Sequence, residues 1–322
     1  MERERNSRRD QRVREATRHI ADMEARFGKE IAASVAGIKV YDGFPKVERA
    51  EKVAAEQTAD EPDIAEEAAA SEPAVPSVTV TDQDSVAAIL ELGRGRAQFT
   101  DLAVLDFASF MYAGGGYDRG AWAQEEALCA ESTLYNVLAT QKAWYAENRR
   151  RNVNCHLYRD RALVAPAIRF TRGKVHAYAD VIVAAAPNAR RAREEYRVKD
   201  DQLVSAMRSR IRLALAIADS LGHEKLVLGA FGCGVFGWNA EQVAEMFRAE
   251  LAGGNHVAKQ VVFAVPRTRF DENLPVFEHV FSHFPEKNPE PYAVAARRAA
   301  DARAAAAASE ADDEDDDWRK YL

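Results

Sequence analysis

The stretch LAVLDFASFMYAGGGYDRGAWAQEE, Leu102 to Glu126, decides how this chain is read. Its opening run, LAVLDFAS (Leu102 to Ser109), is apolar apart from Asp106 and Ser109, the pattern of a strand buried on both faces. The glycine-rich loop YAGGGYDRGAWAQEE (112–126) follows, and then a segment that reads as one helix from Gln124 to Lys142. Open α/β sheets bind ligands where a loop leaves the carboxyl end of a strand for a helix.

Working outward, the same grammar recurs. LVAPAIRF (Leu163 to Phe170) and VHAYADVIVAAAP (Val175 to Pro187) read as strands, and residues 202–221 as an amphipathic helix with Leu203, Met207, Ile211 and Leu215 on one stripe. KLVLGAFG (Lys225 to Gly232) is a strand that runs into a second glycine loop, GAFGCGVFGWN (229–239). A helix near 240–252 and the strand QVVFAVP (Gln260 to Pro266) follow. Upstream, residues 10–36 carry Val13, Ile20, Met23, Phe27 and Ile31 at helical spacing, before the strand-like GIKVY (Gly37 to Tyr41). Alternation of this kind predicts an α/β sandwich with helices on both faces of the sheet.

Glycine accepts positive φ and lets backbone N–H groups approach an anion, which the following helix N-terminus also favours. Neither loop is a Walker loop, since no Gly-Lys-Ser/Thr follows, and neither is a GxGxxG with an acid some 20 residues downstream. One such loop is more often a tight turn, but two on one sheet point to a phosphate-binding cleft. Gln124-Glu125-Glu126 closes the first loop among Ala121, Trp122, Ala123, Ala127, Leu128 and Cys129, an apolar setting that raises a carboxyl pKa, while a helix N-terminus lowers it. Adjacent helical residues point about 100° apart, so the two acids are expected to take different roles.

These residues carry a resemblance. Gly114-Gly115-Gly116 followed by Gln124-Glu125-Glu126 resembles the GGG…QEE signature of poly(ADP-ribose) glycohydrolases. The wider string VLDFASFMYAGGGYDRGAWAQEEALCAESTLYNVL resembles the microbial type of that family, which is built on a macrodomain, so the resemblance implies an α/β fold of three α/β/α layers with a mixed central sheet and an N-terminal helical extension. LVLGAFGCGVFGWN is similar to the family's diphosphate loop, and VVFAVP and AAAPN (184–188) agree. The likeness covers residues 10–53 loosely and 78–266 well.

The resemblance implies an exo-acting hydrolase that cleaves the ribose–ribose O-glycosidic bond and releases ADP-ribose. Glu126 would be the acid/base, and Glu125 would hold ribose hydroxyls. Gly114, Gly115 and Gly116 would shape the loop at the distal ribose, with Gln124 and Asp106 beside it. Gly232, Cys233, Gly234, Val235, Phe236 and Gly237 would cradle the diphosphate, Phe236 packing on the ribose. No cofactor or metal is implied. The partner implied is ADP-ribose or poly(ADP-ribose) on modified proteins, with no membrane and no direct DNA binding expected. Two positions depart from the family pattern. Asp106 stands where Asn is usual and adds a third carboxylate, and Trp238 stands where a polar residue is usual. Asn can donate to a ribose hydroxyl, whereas ionised Asp only accepts. The alternatives are an ADP-ribose reader without turnover, which would not need both acids, and a hydrolase of mono-ADP-ribosyl conjugates, which Asp106 keeps open.

Composition narrows the remaining classes. No apolar stretch reaches the roughly 18–20 residues of a membrane span, and the charged N-terminus has no secretory apolar region. Cys129, Cys155 and Cys233 are too widely spaced for a disulfide framework or a metal clip, which points to a reducing cytoplasm. His279 and His283 have helical spacing but no third ligand, so a surface helix face is expected. Trp122, Trp144 and Tyr145 read as helix-face packing. The net charge of −7 is concentrated: residues 54–77 hold seven acids and no base, and 310–322 hold seven acids and two bases. Without these segments 42 bases face 37 acids, a mildly basic body. The expected organisation is an N-terminal helical extension (1–53), an acidic disordered linker (54–77), a macrodomain-like catalytic domain (78–290) and an Ala/Arg and acidic tail (291–322).

Overall fold

The computed structural model describes residues 2–45, 75–150 and 154–304. Seven strands form one sheet: β1 (Lys39–Tyr41), β2 (Ser77–Thr81), β3 (Leu102–Phe107), β4 (Ala162–Arg172), β5 (Val175–Ala184), β6 (Lys225–Leu228) and β7 (Gln260–Ala264). Their spatial order is β1-β4-β5-β3-β6-β7-β2. The pairs β5–β3, β3–β6, β6–β7 and β7–β2 are parallel, and β1–β4 and β4–β5 are antiparallel, so the sheet is mixed as expected. β3 lies at the centre and is buried over Leu102–Asp106, which is why it reads as a continuous apolar run rather than an alternating one.

Both faces of the sheet are covered. On one side pack α1 (Glu2–Ala36), α2 (Ser85–Leu92), α3 (Gln124–Ala130), α4 (Leu134–Leu138) and α5 (Lys142–Arg150). On the other pack α6 (Ala189–Tyr196), α7 (Asp200–Leu221), α8 (Ala240–Ala252) and α9 (Asn273–Phe281). Side chains alternate along β3, with Ala103 and Leu105 facing one core and Leu102 and Val104 the other. This is the three-layer α/β/α arrangement. Residues 292–304 are helical as well, in line with the Ala/Arg reading.

Two readings change. The single helix predicted over Gln124 to Lys142 is three helices. Thr133 N donates to Arg169 O and Thr171 N to Glu131 O, so residues 131–133 pair with the flank of β4 and cannot continue the helix. The N-terminal helix begins at Glu2 rather than near residue 10, and its Ala16, Met23 and Ile31 are buried against the sheet. β2, α2 and α6 had no individual reading from the sequence, and α9 only the helical spacing of His279 and His283. Residues 54–74 of the acidic segment and the acidic tail 310–322 lie outside the described residues, while Ser77, at the end of that segment, already belongs to β2. Among the described residues, no helix is long and apolar enough to cross a membrane.

Candidate active site

The first glycine loop leaves the end of β3 and folds as a chain of tight turns. Gly115 N donates to Tyr112 O at 3.1 Å, Tyr117 N to Gly114 O at 3.0 Å, and Ala121 N to Gly116 O at 2.9 Å. Helix α5 braces the loop from behind: Asn148 Nδ2 donates to Phe110 O at 2.9 Å and Arg149 Nη1 to Met111 O at 2.7 Å. α1 braces its far end, where Arg12 Nε donates to Gly120 O at 2.8 Å and the Tyr117 hydroxyl meets His19 Nδ1 at 3.0 Å.

The loop closes over the first turn of α3. Glu125 Oε2 accepts the Ser109 N–H at 2.6 Å, and Glu126 Oε1 accepts the Gly116 N–H at 2.8 Å. Gly115 has φ +61°, and a Cβ there would lie 2.5 Å from Glu126 Oε1 and 2.8 Å from Glu125 Oε2. Both carboxylates therefore converge under one glycine, and only glycine fits. Gln124 turns the other way: Oε1 accepts the Phe107 N–H at 2.9 Å, and Nε2 donates to Leu105 O and Ser85 Oγ. It ties α3 to β3 and α2.

Asp106 lies beneath the acids with none of its surface exposed, and among the described residues neither carboxyl oxygen has a hydrogen-bond partner; Glu125 Oε1 and the Tyr145 hydroxyl are likewise buried without one there. Burial pushes the Asp106 carboxyl well above the usual carboxylate range, and the nearby Glu126 charge adds to it. The Glu125 carboxyl is pushed up by the same burial and then by Asp106, against the lowering effect of the Ser109 N–H. Both carboxyls thus keep their protons to higher pH than free side chains do, and a proton is what a leaving oxygen requires.

The second loop, between β6 and α8, is pinned at both ends. Trp238 is buried and donates its indole N–H to Pro187 O at 2.8 Å, while Arg190 N donates to Phe236 O at 3.0 Å. Gly232 has φ +77°, and a Cβ there would meet Trp238 Cδ1 at 2.8 Å, so glycine and tryptophan fit together. Trp238 thus serves the core rather than the cleft. The AAAPN segment finishes the frame, because Asn188 Oδ1 accepts the Arg191 N–H and caps α6. Among the described residues, nothing accepts the N–H groups of Gly234, Val235 and Phe236. Consecutive free donors of this kind suit an anion. Cys233 is no exposed nucleophile: burial and Asp271 push its thiol up to about 12.

A cleft of about 920 Å³ runs past this loop, and of the residues singled out from the sequence it is lined by Gln124, Gly232, Gly234, Val235 and Phe236. Gly114, Gly115, Gly116, Glu125, Glu126, Asp106, Cys233 and Gly237 do not line it. The two loops meet through aromatic packing: Phe110 stacks on Tyr158 at 4.6 Å between centroids, and Tyr158 faces Phe236 at 6.5 Å. The acids therefore stand at the side of the cleft, behind the first loop.

The chain has a family model match over residues 12–173, to the catalytic domain of microbial-type PARG, poly(ADP-ribose) glycohydrolase. The chain belongs to this family. The structure is similar to that of the poly(ADP-ribose) glycohydrolase of Thermomonospora curvata bound to the inhibitor ADP-HPD: TM-score 0.66, 28% identity, 85% of this chain and 100% of that chain covered. It is also similar to the Deinococcus radiodurans enzyme in complex with ADP-ribose: TM-score 0.62, 28% identity, 79% and 98% covered. A mutant of the latter enzyme, also in complex with ADP-ribose, aligns at 32% identity and TM-score 0.56 over 63% of this chain and 83% of that one. The search of curated proteins found no match.

Several residues of this glycohydrolase had no reading as part of the site. Ser109 orients Glu125 through its backbone, which no side-chain pattern reveals. Trp122 is not helix-face packing: it is 62% exposed, precedes α3 and lines the cleft, as does the 83% exposed Phe270. A large aromatic between two alanines at a loop–helix junction was the available signal. Trp144 and Tyr145 do pack inside. His279 sits on α9 and bonds Glu290 O at 2.7 Å, while His283 is exposed past the helix end.

Proposed function

We propose that this glycohydrolase cleaves the ribose–ribose O-glycosidic bond at the end of a poly(ADP-ribose) chain and releases ADP-ribose, with Glu126 as general acid and then general base. The terminal unit would lie with its diphosphate over the free N–H groups of Gly234, Val235 and Phe236. Its distal ribose would then reach the Gly115 wall. The observation that carries this reading is the convergence of Glu125 and Glu126 beneath Gly115.

The chemistry follows from the hydrogen bonds. Glu126 Oε1 already accepts the Gly116 N–H, so the transferable proton belongs on Oε2. That oxygen protonates the leaving ribose oxygen, and the C–O bond breaks toward an oxocarbenium-like centre. The carboxylate left behind takes a proton from the attacking water. Glu125, whose Oε2 is held by Ser109, presents Oε1 to a ribose hydroxyl. Asp106, buried below both, acts on the protonation of Glu125 rather than on the sugar.

Incubation with labelled poly(ADP-ribose) should release ADP-ribose. Glu126→Gln should lower turnover by at least ~10²-fold, the scale of a lost positioned acid/base, while ADP-ribose binding persists. Binding with no turnover in the unsubstituted chain would instead make it a reader, and a loss of only a few fold would take the acid/base role from Glu126.

A further inference from the structure

A second charged feature adjoins the first loop, and none of its residues lines the cleft. Tyr112 is 44% exposed. The Arg119 guanidinium carbon lies 4.8 Å from its ring centroid and that of Arg149 5.6 Å. Arg119 Nη2 donates to Gly115 O at 2.6 Å, the carbonyl of the glycine that covers the acids. Arg9 Nε donates in turn to Arg119 O at 2.9 Å, and Arg12 Nε to Gly120 O at 2.8 Å. Four arginines from three separate elements, α1, the loop and α5, are thus drawn to one rim. Asp118, 3.7 Å from Arg119 Nη1, offsets part of one charge.

Each arginine spends one donor on a backbone carbonyl. Arg9, Arg119 and Arg149 are nevertheless exposed, so remaining N–H groups face solvent. A fold that only needed these carbonyls satisfied could use water. Two backbone-anchored guanidinium groups over an exposed phenol, Arg119 and Arg149, with Arg9 and Arg12 bonded to the same loop, are suited to phosphate and to a flat base.

We infer that this rim, Tyr112 with Arg9, Arg12, Arg119 and Arg149, binds the part of the poly(ADP-ribose) chain that lies beyond the scissile bond. This rests on the reading given under Proposed function, in which the terminal unit fills the cleft. The next ribose then emerges beside Gly115 and Glu126, and its diphosphate meets the rim within one unit. The rim would hold the polymer after each terminal unit departs, and would favour long chains over single units.

The test is binding, kept apart from turnover. The full chain carrying Glu126→Gln is titrated with end-labelled poly(ADP-ribose) and with ADP-ribose across a salt series, with and without Arg9→Gln/Arg149→Gln. Removing two phosphate contacts should flatten the slope of log affinity against log salt by about 1.4, at about 0.7 per contact for a single strand. Polymer affinity should fall about tenfold at low salt while ADP-ribose affinity holds. Arg9→Lys/Arg149→Lys, which keeps the charges, should restore the slope. An unchanged slope, an equal loss for ADP-ribose, or no rescue by lysine overturns the proposal. So does single-stranded RNA that displaces the polymer at equal phosphate concentration, which would make the rim a general nucleic-acid surface. If the unsubstituted chain fails to cleave polymer while the slope still responds, the rim stands and the assigned reaction fails.

Discussion

Gly115 lies so close above Glu126 that a single added carbon would stand 2.5 Å from Oε1. The backbone there also has φ +61°, a region that costs a non-glycine residue roughly 1–3 kcal/mol. Gly115→Ala should therefore push the carboxylate aside, and a displacement near 1 Å in an active site costs about 10²-fold in rate. Polymer turnover and thermal melting of the purified variant measure the two effects separately. Turnover near that of the unsubstituted chain would remove the loop as a wall of the acid site.

Asp106 gives a pH signature. Its carboxyl is neutral in the fold well above the pH at which the unfolded chain releases the proton, about 3.9 for a free Asp. Between those two pH values the folded state binds more protons, so stability falls as pH rises, by about 1.4 kcal/mol per unit for one such group. The contribution is fully present only below the unfolded value. Asp106→Asn has no proton to lose. Its stability relative to the unsubstituted chain should be similar near pH 4 and greater at pH 7. Denaturant titrations at both pH values decide it, and a difference independent of pH would show that Asp106 is ionised in the fold.

Trp238→Phe removes the donor to Pro187 O and leaves part of a buried volume empty. An unpaired buried carbonyl and a small cavity together should cost about 2–4 kcal/mol. The second loop loses its anchor, so ADP-ribose affinity should also weaken, about tenfold by calorimetry. Unaltered affinity with lowered stability would mean that the Arg190–Phe236 backbone bond alone positions the loop.

The sequence carried most of the sheet because central parallel strands read as unbroken apolar runs; LAVLDFAS and QVVFAVP needed no partner to be recognised. Edge elements were less visible. β2 is five residues long and only half-buried, and α6 and α9 are short helices whose boundaries depend on tertiary caps such as Asn188. The break between α3 and α4 was hidden for a related reason: it is made by hydrogen bonds to β4, about 40 residues downstream. The acids and glycines stood out as a local motif. Their arrangement did not, because Ser109, Asn148 and Arg12 hold the loop through backbone atoms, and backbone contacts leave no trace in side-chain spacing.

The two ends of the sheet bear on how the protein behaves when concentrated. Open strand borders invite other chains to add on and nucleate aggregates. Here β1 offers only three residues and starts with an exposed lysine, and α9 packs beside β2 at the opposite border. Neither border gives an incoming strand a long, flat template, so the many β-branched residues of this sheet stay out of intermolecular pairing while the chain remains folded.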